Sequence, residues 1–340
     1  MTLSIGIVGL PNVGKSTLFK ALTKKPVDIA NYPFCTIDPN VGVVNVPDFR
    51  LEKLAEFSHS QKIIPAVVEF VDIAGLVRGA SLGEGLGNQF LSHIREVDAI
   101  LEVVRVFPSS GLKEVVHFYN SVDPKRDIEI LETELILSDI ETINRRTEKL
   151  EKEVKSLNKE AIKKEELFKK IKEMLERGIL ASQYPFDTEE KKMIKELNLL
   201  TVKPIIYVYN VSGGLEIPDD LRKREHVILD IKMEEELMEI KDEEKEELSL
   251  KSSLDNLIIK AYQILGLITF FTTGEDETRA WTIKNGSTAP EAGAAIHTDF
   301  CEKFIRAEVI NWQDLLDGGA KRMVGKDYIV KDGDVIEFKI

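Results

Sequence analysis

One run of eight residues constrains this chain more than any other. Gly9-Leu10-Pro11-Asn12-Val13-Gly14-Lys15-Ser16 satisfies the pattern G-x-x-x-x-G-K-[ST]. It follows the short apolar run Leu3–Gly9 and precedes a helix-like segment, Leu18–Leu22. In a strand–loop–helix context such a loop curls so that successive backbone N–H groups converge on phosphate oxygens, and the helix N-terminus adds its positive end. The expected phosphate-binding set is Asn12, Val13, Gly14, Lys15, Ser16 and Thr17. Lys15 reaches the β- and γ-phosphates, and the Ser16 hydroxyl ligates Mg²⁺.

Two further segments extend this reading. Val71-Asp72-Ile73-Ala74-Gly75 ends an apolar strand with a carboxylate. Asp72 there is expected to hold the magnesium through water, and Gly75 to offer its N–H to the γ-phosphate. Alone, D-x-x-G is a weak pattern; 57 residues after a P-loop lysine it gains weight. Between the two, Tyr32-Pro-Phe-Cys-Thr36-Ile-Asp-Pro39 resembles a first switch segment, with Thr36 the second protein ligand of the metal.

The rest of the chain divides into textures. Val67–Val71, Ala99–Val106, Ile205–Tyr209 and Val227–Ile231 are short, rich in β-branched residues and mostly continuous rather than alternating in their apolar residues, which predicts a parallel sheet covered on both faces. From Arg126 the sequence is rich in Glu, Lys and Leu, with no Gly or Pro until Gly178. Ile136, Ile140, Ile143, Thr147, Leu150, Val154, Leu157 and Ala161 recur at steps of four and three, and Leu167, Ile171 and Met174 restart the pattern. Two long helices folded into an antiparallel hairpin are expected. Beyond about Leu265, the strand-like segments Thr269–Thr273, Arg279–Lys284, Phe304–Ile310 and Val335–Lys339 surround a single helix at Pro290–Phe300. Turn signals at Asn285-Gly286, Asp317-Gly318-Gly319 and Asp332-Gly333 separate them.

At 340 residues the chain has room for two to three domains of about 150 residues. Its net charge of −13 disfavours indiscriminate attraction to nucleic acid. That average conceals a local excess: over Arg145–Arg177 there are twelve Lys/Arg against eight Asp/Glu, whereas Glu234–Glu247 carries nine acids against two lysines. The acidic run reads as a solvated helix face. Two cysteines 266 positions apart, Cys35 and Cys301, argue against a disulfide framework, and the chain reads as cytoplasmic. No apolar run approaches the roughly 20 residues of a bilayer span; the longest, Ala99–Phe107, contains Glu102 and Arg105. His59, His93, His226 and His297 show no metal-ligand spacing.

The exact wording of these motifs narrows the class. Gly9–Thr17, Asn31–Asn40, Val71–Ser81, Gly85–Leu91 and Arg279–Ile283, with Ile296–Phe300, Phe304–Ile310 and Gly325–Val335, closely resemble the Obg-like ATPase family, also called the YchF family. The resemblance covers nearly the whole chain. It implies a GTPase-type α/β domain with a parallel-rich sheet at 1–125 and 200–265, interrupted by a coiled-coil-like arm at 126–199, then a ubiquitin-like α+β TGS domain at 266–340. It also implies preference for ATP, with Asn210 and Val211 contacting adenine, and association with a ribosome or ribosomal subunit through the arm or the TGS domain. Ribosomal RNA contact is open on this reading, and the chain is taken as a monomer.

Two positions bear on mechanism. Ras-type GTPases orient the attacking water with a Gln directly after the D-x-x-G glycine; here Leu76 stands there and cannot hold a water. Intrinsic hydrolysis is therefore expected to be slow. His117 is one candidate for handling the water, set against a plain structural histidine. Asn12 is a lesser candidate, for a monovalent cation. Guanine recognition uses N-K-x-D, whose carboxylate accepts both N–H groups of the guanine edge, a donor pair that adenine lacks. Here the strand runs into Asn210-Val211-Ser212-Gly213, without that carboxylate. The family pattern often has Glu where Gly213 stands, and Glu216 lies nearby. Ile231-Lys232 falls where the last base-contacting loop belongs. Two readings compete: a hydrolytic switch whose Thr36 and Gly75 segments respond to the γ-phosphate, and a nucleotide-stabilised binding module with incidental turnover. A GTPase is the third.

Overall fold

The computed structural model describes residues 3–24, 27, 38–73, 86–107, 121–213, 216–240, 244 and 252–340. The first sheet comprises β1 (Ser4–Val8), β2 (Val41–Asn45), β4 (Val67–Asp72), β5 (Ala99–Arg105), β6 (Ile205–Asn210) and β7 (His226–Leu229), in the order β2-β4-β1-β5-β6-β7. All neighbours run parallel except β2, which pairs antiparallel with β4. Every residue of β5 and β6 is buried, Glu102, Arg105 and Asn210 among them, as expected of mostly apolar strands covered on both faces. The register sets Ile7 beside Asp72 and Arg105 beside Asn210. The carboxyl ends of β1, β4 and β6 therefore open onto one edge, where ligands bind in sheets of this kind.

Helix α1 (Lys15–Thr23) follows the glycine loop, and α3 (Leu86–Glu96), α7 (Ile231–Leu237) and α8 (Leu254–Ile264) add to the core of this half, whereas α2 (Phe49–Phe57) packs against the C-terminal sheet and α6 (Thr188–Lys195) against the inserted hairpin. The strand expected at Val227–Ile231 stops at Leu229, because the Asp230 side chain accepts a 3.0 Å hydrogen bond from Met233 N and starts α7.

The inserted hairpin consists of α4 (Pro124–Lys155) and α5 (Lys159–Glu176). Asp123 caps α4 on Arg126 N, with Pro124 in the first turn, and Asn158 caps α5 on Glu160 N and Ala161 N. The apolar steps do not run unbroken from Ile136 to Ala161: Leu157 has a φ of 60° and is 79% exposed, because it forms the turn between the helices. Ile136, Ile143, Ala161, Leu167 and Ile171 are buried. The base of α4 is bolted to the sheet. Asp139 accepts from Leu200 N at 2.9 Å, Thr201 N at 2.8 Å and Thr201 Oγ1 at 2.7 Å, while Tyr207 Oη donates to Glu132 at 2.7 Å and Arg224 also donates to Glu132.

A second sheet contains β8 (Leu267–Thr273), β9 (Glu277–Lys284), β10 (Arg306–Asn311), β11 (Arg322–Val324) and β12 (Asp334–Lys339). The helix expected over Pro290–Phe300 is broken at His297, which is extended at φ −161° and caps Asp299 N. The result is α9 (Ala289–Ile296) and α10 (Thr298–Glu302), with α11 (Trp312–Leu316) after β10. The sheet order is β11-β10-β12-β8-β9-β3, and β3 (Lys62–Ile64) comes from the nucleotide-binding half of the chain. It pairs parallel with β9, Lys62 to Glu277 and Ile64 to Arg279. Arg50 on α2 donates to Asp332 at 2.5 Å, Ser60 Oγ to Gly274 O at 2.6 Å, and Thr273 Oγ1 to Ser58 Oγ at 2.7 Å. The C-terminal module is thus tied to the nucleotide half by a shared strand and side-chain bonds.

Candidate functional site

The glycine loop leaves β1 and delivers Lys15 and Ser16 into the first turn of α1. Gly14 precedes the helix at φ 108°, and a Cβ there would lie 2.8 Å from Asn210 Nδ2. Both the left-handed backbone and the close approach call for glycine. Asn210, at the end of β6, donates from Nδ2 to Val13 O at 2.8 Å and accepts from Ile231 N at Oδ1 at 3.2 Å. Loop, strand end and α7 are thereby held by one buried amide.

Lys15 is buried, and its Nζ donates to Leu10 O at 2.8 Å. Burial lowers its pKa to about 8, with the Asp72 carboxylate opposing that shift. Burial also pushes Asp72 up, against the Lys15 charge and a hydrogen bond from Ser16. Lys15, Ser16 and Asp72 therefore share one small volume at the carboxyl edge of the sheet, although 57 residues separate Lys15 from Asp72. The donor set is a hydroxyl beside a carboxylate, the hard oxygen pair that suits Mg²⁺ better than a soft metal. The lysine and the α1 N-terminus face the same volume and suit phosphate.

Of the other expected residues, Asn12 is exposed at φ 65°, Thr17 is half-buried, and Val211 is buried with its N–H donated to Leu229 O. Thr36, Gly75, Leu76 and His117 lie outside the described residues. Two contacts were not legible beforehand: the bridging use of the Asn210 side chain, and that of Ile231, whose Cδ1 would lie 3.3 Å from a Cβ on Gly14. The N-x-x-G spacing was a signal for the first; Ile231 was expected near the base, and its packing against Gly14 in the phosphate loop is what the fold adds. Among the described residues no helix is long and apolar enough to cross a membrane.

Comparison with known proteins agrees with this architecture. A family described as a 50S ribosome-binding GTPase matches residues 4–211, and the YchF-GTPase C-terminal family, described as a protein of unknown function, matches 267–340. The ribosome-binding ATPase YchF of Bacillus subtilis is 48% identical over 366 residues, covering 100% of this chain and 99% of that protein. The protein of the same description from Escherichia coli O157:H7 is 44% identical, covering 99% of each. The solved structure of the Schizosaccharomyces pombe YchF GTPase superposes with a TM-score of 0.84 at 37% identity, covering 99% of this chain and 98% of that one. With a P-loop domain, an inserted helical hairpin and a TGS-like C-terminal module in the same order, the chain belongs to the YchF family of P-loop nucleotide-binding proteins.

Proposed function

We propose that this protein is a Mg²⁺-dependent, ATP-hydrolysing switch that works in association with the ribosome. The observation that carries the nucleotide half is the convergence of Lys15, Ser16 and Asp72 beneath a base-side loop, Asn210–Gly213, that has no carboxylate. Lys15 binds the β- and γ-phosphates, Ser16 and Asp72 hold the metal, and the loop N–H groups from Asn12 to Thr17 cradle the phosphates. Magnesium held by Ser16 and Asp72 would supply the positive charge that offsets the charge developing on the phosphates. Asn210 positions the loop against α7, and the Val211 backbone lies at the adenine side. Thr36 completes the metal site, Gly75 meets the γ-phosphate, and His117 handles the attacking water in place of the glutamine that Leu76 displaces. The chain acts in the cytoplasm as a monomer, and the arm and the TGS module are its ribosome-facing surfaces.

The relatives' descriptions support the ribosomal half, since the curated proteins are ribosome-binding ATPases. They divide on the nucleotide, because the matching family and the S. pombe protein are described as GTPases. Gly213 favours ATP on chemical grounds: without a carboxylate the two N–H groups of guanine go unpaired. Calorimetric titration with ATP and GTP in Mg²⁺ tests this, and tighter GTP binding would reverse it. Leu76 favours a second reading, a binding module with incidental turnover. Single-turnover hydrolysis with and without ribosomes separates the two: a negligible rate that ribosomes leave unchanged, with co-sedimentation intact, removes the hydrolytic switch. His117→Ala should slow hydrolysis while ATP affinity holds, and an unchanged rate returns His117 to a structural role.

A further inference from the structure

At the foot of the arm, where the end of α3 meets α4, a hollow of about 400 Å³ is lined by Arg95, Thr142, Arg145, Arg146 and Lys149. Four of these five residues are cationic and none is acidic. Thr142, Arg145, Arg146 and Lys149 stand at i, i+3, i+4 and i+7, so they share one face of α4. Arg95 comes from α3 and is held in place: Nη1 donates to Asn198 O at 3.0 Å, and Nη2 to Ser138 Oγ at 2.9 Å and Thr142 Oγ1 at 3.4 Å. These hydrogen-bond partners are neutral; the Asp139 carboxylate lies within electrostatic reach of Arg95, but its oxygens are taken by Leu200 N, Thr201 N and Thr201 Oγ1. Arg145 pairs with Glu141 at 3.0 Å, but both side chains are well exposed and such a pair is worth little. Arg146 and Lys149 are exposed.

An oriented guanidinium with three more cations along one helix face is a phosphate-binding arrangement, since the planar fork matches phosphate oxygens and the flanking charges follow a chain of them. The total charge of −13 makes this concentration more telling, because the long-range field would repel a polyanion that found no local site. The geometry points to a docking site for an RNA phosphate backbone at the α3–α4 junction, held by Arg95, Arg145, Arg146 and Lys149. This deepens the ribosome-associated reading and rests on it for the source of the RNA. The contacts are to phosphate and carry no sequence preference. Toward the tip the face carries Glu153 beside Lys152, so the cationic stretch ends at about Lys149.

The test uses the full chain carrying Arg146→Glu and Lys149→Glu, beside a charge-matched control, Lys159→Glu with Lys170→Glu, on α5. All four side chains are exposed, so the fold is not at stake. Fluorescence anisotropy with a ribosomal RNA fragment is read across a salt series, with ribosome co-sedimentation and ATP titration in parallel. The expected result is an RNA affinity at least about tenfold lower for R146E/K149E, with a salt slope smaller by about 1.4 to 1.8 for two lost contacts. The α5 control stays near wild type, and ATP affinity is unchanged in both. Equal losses in the two double variants, or no RNA binding by the wild type, would overturn the site. Loss of sedimentation with RNA affinity intact would also overturn it, in favour of a protein contact. If R146E/K149E sediments with ribosomes as wild type does and keeps its RNA affinity, the site falls while the ribosomal reading stands. If RNA binds here but the wild type ignores ribosomes, the site stands and that reading falls.

Discussion

The Asn210 side chain joins the phosphate loop to the base-side edge of the site: its Nδ2 donates to Val13 O at 2.8 Å while its Oδ1 accepts from Ile231 N at 3.2 Å. Three segments far apart in sequence depend on that amide. Asn210→Ala should cost about 1–3 kcal/mol of stability, because it strands a buried carbonyl and a buried N–H. It should also weaken ATP by about tenfold through the misplaced loop. Urea unfolding and calorimetric titration read the two effects, and wild-type values for both would remove Asn210 from its bridging role.

Lys15→Met should separate folding from binding. The ammonium is desolvated in the ligand-free protein, so replacing it with an apolar chain of similar length should leave the unfolding midpoint at or above wild type. ATP affinity should fall by about a hundredfold or more as the phosphate contact is lost. Thermal unfolding with and without Mg·ATP checks this: the wild type should gain a midpoint shift that the variant lacks.

The same lysine sets a pH dependence. Its pKa falls from 10.5 to about 8 on folding, so between those values the unfolded chain binds more protons and stability rises with pH. Phosphate oxygens restore the charge, so ATP binding near pH 8 should take up a proton. Above that pH the affinity should fall by up to about tenfold per unit. Calorimetry in buffers of different ionisation enthalpy measures the uptake, and its absence at pH 8 would contradict a buried, ligand-responsive Lys15.

Gly213→Asp should shift the GTP-to-ATP affinity ratio toward GTP. Gly213 sits at φ 65° with nothing within 4 Å of an added Cβ, a conformation that Asp tolerates better than most residues. A carboxylate there would meet both guanine N–H groups. Competition titrations read the ratio directly, and no change would mean that the Asn210 loop does not read the base.

Arg50→Ala should loosen the seam between the two halves. Arg50 bonds Asp48 and Asp332, and Asp332 in turn accepts from Thr269 N at 2.9 Å. With Asp332 half-exposed the loss should be modest, about 1 kcal/mol. Faster amide exchange over Lys62–Ile64 should accompany it, since β3 is the strand this corner supports. Unaltered exchange there would show that backbone pairing alone holds the module.

The P-loop, the carboxylate ending β4, the continuous apolar strands and the helical hairpin were all legible from residue order. Each rests on a local pattern: glycine spacing, strand-length apolar runs, and a three-four repeat without helix breakers. What was misread was decided at single residues by capping. Asp230 turns the chain into α7 two residues after β7 ends, His297 divides a helix that composition would continue, and Leu157 leaves an apolar seam to make a turn. Local hydrogen bonds and positive φ override periodicity at such points.

By itself the sequence determined that this chain binds phosphate on a parallel-rich sheet and carries a helical arm, because those features arise from contacts between residues close in sequence. Tertiary structure alone decided three others. Lys62–Ile64 leaves the first sheet to edge the second, since pairing with β9 satisfies backbone groups that no local partner could reach. Asn210 serves as a brace because the carboxyl ends of β1 and β6 converge with α7 within hydrogen-bonding distance. Arg95, an ordinary surface arginine by its sequence, becomes one wall of a cationic hollow because the fold lays the end of α3 against the foot of the arm.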